Sequence, residues 1–190
     1  MDENSATYNA LYAALGQVVY EWAWLEDDVA SLIIALTNVQ SKHLMQDQGF
    51  GKFLLAVDAN VDLRTNIQIA KALTRYVETD TDFRGRADKT LNFIGNELRN
   101  DRNRYIHDLW YVAGERFMRL KKGTTVKRVK GSGEVKVDLR SITEFQTLGD
   151  VKALVTRIQK ERRNLGILHG ELGDLFTYLY GDEEGPPPTP

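Results

Sequence analysis

With 190 residues, 42% hydrophobic and 27% charged, the chain is long enough to bury a core as one domain. Without cysteine it is barred from disulfides, thiolate zinc sites and cysteine nucleophiles, and it suits a reducing compartment. The formal net charge of −2 hides an asymmetry, because Arg99 to Arg140 carry 12 Lys/Arg against 5 Asp/Glu, a basic segment fit for an anionic partner or, more plainly, a solvated basic hairpin.

The start, Met1-Asp2-Glu3-Asn4-Ser5, is acidic and polar, unlike a signal peptide, and no apolar run reaches the length of a membrane span. A cytoplasmic protein without a membrane partner is expected. Helical spacing of Tyr8, Leu11, Leu15, Val19, Trp22, Val29, Ile33 and Leu36 predicts a first helix over about Ala6–Thr37, with Glu26 on the same stripe. Shorter helices are expected at about Lys42–Gln48 and Lys52–Asn60, separated by Gly49 and Gly51, and then at about Leu63–Val77. Thr79-Asp80-Thr81-Asp82 offers N-cap residues for a helix over about Phe83–Trp110, striped by Leu91, Ile94, Leu98, Tyr105 and Leu109.

The texture then changes to Val, Thr and aromatic residues. A small β-hairpin or meander is expected over about 111–140, with turns at Lys122-Gly123 and Gly131-Ser132-Gly133. Thr147 with Asp150 forms a capping-box variant opening a last long helix, striped by Leu148, Val151, Val155, Ile158, Leu165, Leu168, Leu172, Leu175 and Leu179. Residues 181–190, rich in acid and proline, are expected to form a disordered tail. The domain expected is thus a single one over 1–180, mainly α, with the hairpin inserted before the last helix.

Arg102-Asn103-Arg104-Tyr105-Ile106-His107 reads as Arg, a polar residue, three residues, His. It resembles the signature of HEPN domains. An early long helix with Leu25-Glu26, the Gly49–Lys52 segment Gly-Phe-Gly-Lys, and an aromatic soon after the His fit the same resemblance. It implies a HEPN-like up-down helical bundle, commonly dimeric, and in many cases a metal-independent endoribonuclease of toxin–antitoxin or phage-defence systems. RNA, a second copy of the chain, and an antitoxin or regulatory protein are the partners it implies. Carried onto this sequence, His107 would be general acid or base, Arg102 would stabilise the phosphorane, and Asn103 would orient a phosphate or the His. The alternative is a non-catalytic HEPN-type module that binds a nucleotide or a partner, or a helical adaptor in which the motif is coincidental.

On an ideal helix Asn96, Asn100, Asn103 and His107 share one polar stripe, flanked by Arg99 and Arg104. Amides with Arg suit phosphate and ribose, and His can move a proton near neutral pH. Asn96, Arg99, Asn100 and Arg104 are therefore candidate RNA-binding residues. Arg102 sits five residues before His107, about 140° away round the wheel. Either its side chain curls back, or it points at the bundle, where Glu26 would be its partner. His43 and His169 are isolated, so no metal site is expected, and no P-loop, dinucleotide fingerprint or nucleophile elbow implies a cofactor. Trp22, Trp24 and Trp110 suit core packing or dimer contacts, and Gly166, Gly170 and Gly173 a close helix approach or an irregularity in the last helix.

Overall fold

The computed structural model describes residues 3–40, 61–77, 79–113, 116–128 and 135–180. The expected helices at 42–48 and 52–60, the Gly49–Lys52 segment, the turn at Gly131–Gly133 and the tail from 181 lie outside the described residues. The chain is mainly helical, with a small antiparallel sheet. The elements in order are α1 (Glu3–Gln40), α2 (Leu63–Tyr76), α3 (Thr81–Phe93), a π-helical turn (Ile94–Leu98), α4 (Arg99–His107), β1 (Leu109–Ala113), β2 (Arg116–Arg128), β3 (Val135–Gln146) and α5 (Leu148–Tyr180). Among the described residues no helix is long and apolar enough to cross a membrane.

The chain divides into two compact units, Met1–Tyr20 with Arg99–Thr156, and Glu21–Leu98 with Arg157–Pro190. The first unit holds α4, the sheet, and the starts of α1 and α5. The second holds α2, α3, the π turn, and the rest of α1 and α5. The basic segment falls wholly in the first, which carries thirteen Lys/Arg against nine Asp/Glu. The second carries twelve against eighteen.

The long helices bury rows at sevenfold spacing. In α1, Leu11, Val18, Leu25, Leu32 and Val39 are buried, as are Trp22, Val29 and Leu36 of the adjacent row. Repeats of seven place both rows on one face of a helix. The expected stripe captured the second row but took Val19 and Glu26 as the flank of the first. Val19 is 45% exposed and Glu26 lies on the exposed side, where its carboxylate accepts from the Trp22 indole N–H at 2.7 Å. In α5 the rows are Val151, Ile158, Leu165, Leu172 and Leu154, Glu161, Leu168. Leu179, expected on the stripe, is exposed.

Helix starts follow the capping residues. Asp62 accepts from Thr65 N at 2.8 Å to open α2, and Asp80 from Phe83 N at 2.6 Å to open α3. At α5 the box is reciprocal: Thr147 N donates to Asp150 Oδ2 at 2.7 Å and Asp150 N to Thr147 Oγ1 at 3.2 Å. The Thr147 backbone N–H, together with the Thr147 hydroxyl donating to the same Oδ2 at 2.8 Å, holds the Asp150 carboxyl below its ordinary pKa.

The helix expected over Phe83–Trp110 differs in two ways. It carries the π turn, and it stops at His107. Gly95, in that turn, lets α2 approach closely: a Cβ there would lie 3.3 Å from Ile67 Cδ1. By contrast, a Cβ on Gly166, Gly170 or Gly173 would meet nothing within 4 Å, so those glycines are not required for close packing. Beyond His107 the Leu-Trp-Tyr-Val run favours a strand. Trp110 in β1 donates its indole N–H to the Tyr105 carbonyl at 2.9 Å, satisfying an end group of α4.

The strands form a sequential meander, β1-β2-β3, the second of the two forms expected, and it runs over 109–146 rather than about 111–140. Lys122 and Gly123, expected as a turn, lie inside β2, opposite Ser141 and Arg140. A continuous ladder with β3 overrides a lone Lys-Gly turn signal. Tyr111, Met118 and Phe145 stand opposite one another across the three strands, and Tyr111 and Phe145 are 44% and 57% exposed.

Candidate functional site

The motif occupies α4, nine residues of which none is buried. Such a helix contributes no side chain to a core, so its Asn, Arg and His residues face water or partly covered surface. His107 is its last residue and is exposed; Asn100 and Arg104 are exposed, while Arg99, Arg102 and Asn103 are half-buried. Arg104 Nη1 lies 3.7 Å from Asp101 Oδ1, a loose surface pair.

Arg102 does what its wheel position left open. Its Nη1 donates to Asn103 Oδ1 at 3.1 Å, so the guanidinium turns toward the residue four before His107. The Asn103 amide oxygen thus orients a planar fork of the kind suited to phosphate oxygens. The carboxylate of Glu26 accepts from the Trp22 indole N–H, on an exposed helix face.

Asp108, next to the His, is held on the opposite business of anchoring. Its Oδ2 lies 3.5 Å from Nε of Arg119 in β2, a residue only 3% exposed. Arg119 also lies over the Tyr105 ring, 5.5 Å from its centroid. The Tyr105 hydroxyl donates to Gln146 Oε1 at 2.8 Å, and the Tyr105 and Trp110 rings are 5.5 Å apart. These contacts fasten the end of α4 to the sheet, and they pair the Asp108 charge with a cation. Trp110 serves this anchor.

Asn96 belongs to the other unit, in the π turn, where it lines a cleft of about 750 Å³ between the α3–π segment and α5. π turns occur often at functional sites. Arg86 closes one side, donating with Nη1 and Nη2 to both oxygens of Glu171 at 2.8 and 2.7 Å. Glu161, 7% exposed, lines the cleft and accepts from Asn164 Nδ2 at 2.9 Å. Motif reasoning missed this cleft. Its signal was in the heptad row, where Glu161 stands between Leu154 and Leu168.

A second buried acid lies between α1 and α5 of the same unit. Glu21, 7% exposed, accepts from Arg162 Nη1 at 2.7 Å and from Gln159 Nε2 at 2.8 Å. Arg162 Nε also donates to Asp28 Oδ2 at 2.8 Å, and its guanidinium lies over the exposed Trp24 ring. The Gln159 bond and Arg162 hold the Glu21 carboxyl below its ordinary pKa, against burial, which raises it. Trp22 is in the core, 3% exposed.

The chain matches no protein-family model, no curated protein and no solved structure.

Proposed function

We propose that the chain is a HEPN-like, metal-independent endoribonuclease acting through Arg102, Asn103 and His107. The observation that carries it is the Arg102–Asn103 hydrogen bond, which turns the motif's guanidinium toward the helix side of an exposed His107. RNA supplies the nucleophile: its 2′-oxygen attacks the adjacent phosphorus, the bond to the 5′-oxygen breaks, and a 2′,3′-cyclic phosphate and a 5′-hydroxyl result. His107 takes the 2′-OH proton or delivers one to the leaving oxygen. Arg102 donates to the oxygens that gain charge in the phosphorane. Asn103 fixes the Arg102 fork.

The surroundings favour an RNA substrate. The unit that bears the motif is the basic one, and Asn100, Arg99 and Arg104 continue the polar surface of α4. Tyr111 and Phe145 expose aromatic faces on the sheet of that unit, on which bases can stack. A second copy would bring a second His107, giving the reaction both an acid and a base. An antitoxin or regulatory protein would then restrain the activity, in stress response or phage defence in the cytoplasm.

The test is cleavage of labelled total RNA and tRNA by purified protein in EDTA, beside His107→Ala. Products with cyclic-phosphate ends, lost in the variant, are expected. No cleavage by the wild type, or equal cleavage by both, would overturn the assignment in favour of a binding module.

A further inference from the structure

The cleft between the α3–π segment and α5 has a chemistry of its own, independent of the ribonuclease motif. At about 750 Å³ it has the size of a small-molecule site. Its floor carries a carboxylate at a position the helix would normally fill with an apolar side chain: Glu161 is 7% exposed and stands in the row of Leu154 and Leu168. Burying a charge there is unfavourable unless it is met by donors. Asn164 Nδ2 meets only Oε2. A ligand that brings two parallel N–H groups would meet the carboxylate fully.

The remaining lining narrows that ligand further. Lys89 and Lys160 are exposed at the cleft, the places for an anionic group. Phe93 and Ile167 offer apolar surface, Ile167 being 57% exposed with no packing need for it. Asn92 Oδ1 is taken by Lys71 Nζ at 2.8 Å, which leaves the Asn92 NH₂ group as a donor. Asn96 adds another amide.

We propose that this cleft binds guanine carrying a phosphate, with Glu161 accepting from the guanine N1–H and N2–H. Among the bases guanine alone offers two adjacent N–H donors on its pairing edge. Adenine and cytosine set a ring-nitrogen lone pair beside their amino group, and uracil flanks its N–H with two carbonyls. Each would face a carboxylate with a repulsive acceptor. The base lies along Phe93 and Ile167, the amides of Asn92 and Asn96 reach O6 or ribose hydroxyls, and Lys89 and Lys160 take the phosphate. The same chemistry is presented by a free guanine nucleotide or by a guanosine within an RNA strand.

Calorimetry on the full chain with 5′-GMP, 5′-AMP, guanosine and a short 2′-O-methyl oligouridine carrying one guanosine tests this. With every 2′-oxygen methylated, that of the guanosine included, the strand has no nucleophile and cannot be cleaved, so failure of the ribonuclease assignment does not affect the result. GMP is expected to bind roughly tenfold to a hundredfold more tightly than AMP, the discrimination of one bidentate contact. Glu161→Gln, which removes a buried charge and keeps the shape, is expected to abolish that preference. Lys89→Ala with Lys160→Ala is expected to bring GMP down to the affinity of guanosine. Binding of GMP identifies a nucleotide site; binding of the oligonucleotide without GMP identifies a strand site. Binding of neither, equal binding of GMP and AMP, or an unchanged preference in a folded Glu161→Gln protein would overturn the proposal.

Discussion

Arg162→Ala should be among the most damaging single changes to the unit formed by Glu21–Leu98 and Arg157–Pro190. Arg162 makes two charge-assisted hydrogen bonds, to Glu21 at 2.7 Å and Asp28 at 2.8 Å, each of a kind worth about 1.5–3 kcal/mol. The two acids respond differently to its loss. Asp28, with a side chain 28% exposed, is largely resolvated by water. Glu21, with a side chain 10% exposed, keeps only Gln159 and stays desolvated. The expected cost is about 3 kcal/mol, at the lower edge of the range for breaking a buried pair. In a chain of this length that lowers Tm by about 6–12 °C. Arg162→Lys should recover less than half, because one ammonium cannot reach both acids with a planar fork. Glu21→Gln in the Arg162→Ala background should return about 1–2 kcal/mol by removing the stranded charge. Thermal and urea melts followed by circular dichroism at pH 7 measure these four proteins and Glu21→Gln alone, which closes the cycle. A Tm for Arg162→Ala within about 2 °C of wild type, or a double mutant that is additive within about 0.5 kcal/mol, would refute the reasoning.

Two further outcomes follow from the packing and the charges. Because the Glu21 carboxyl titrates below its ordinary value of 4.5, the folded state binds its proton less readily than the unfolded chain; its contribution is complete above that value and is lost as pH falls through the folded one. Melting temperature against pH should therefore fall on the acid side in the wild type and fall less in Glu21→Gln, and parallel acid limbs would contradict this. Gly95→Val should cost about 1–3 kcal/mol in urea denaturation by overpacking against Ile67 Cδ1, and an unchanged midpoint would show that α2 gives way.

Much of the local structure could be read from the sequence, because local chemistry writes it. Asp80 caps α3, Thr147 and Asp150 close a box on α5, and Leu63 opens α2. The end of α4 was less legible. Leu109 and Trp110 continue the helical period of Leu91, Leu98 and Tyr105, and only the sheet reveals that β2 takes them as a strand. Lys122-Gly123 failed as a turn for the same reason, since β3 offers a partner along that whole stretch.

The acids show where reading a single helix stops. In α1 the row through Val18, Leu25 and Leu32 is unbroken and buried, whereas the row through Val19 and Glu26 contains an acid, and both residues are exposed. By that rule Glu161 should be exposed too, since it interrupts the row of Leu154 and Leu168. It is buried, as is Glu21. The difference lies in what each acid meets. Glu21 has Gln159 and Arg162 across from it on α5, and those partners come from 138 and 141 residues away in the chain. Glu161 has Asn164 one turn on and, across the cleft, the amides Asn92 and Asn96 and the lysine Lys89 of the α3–π segment. An acid in an apolar row is thus a question that the helix itself cannot answer. For Glu21 the protein supplies the answer as a cation. For Glu161 the described residues lining the cleft supply one amide and an opening, the arrangement expected where the completing donors arrive with a ligand.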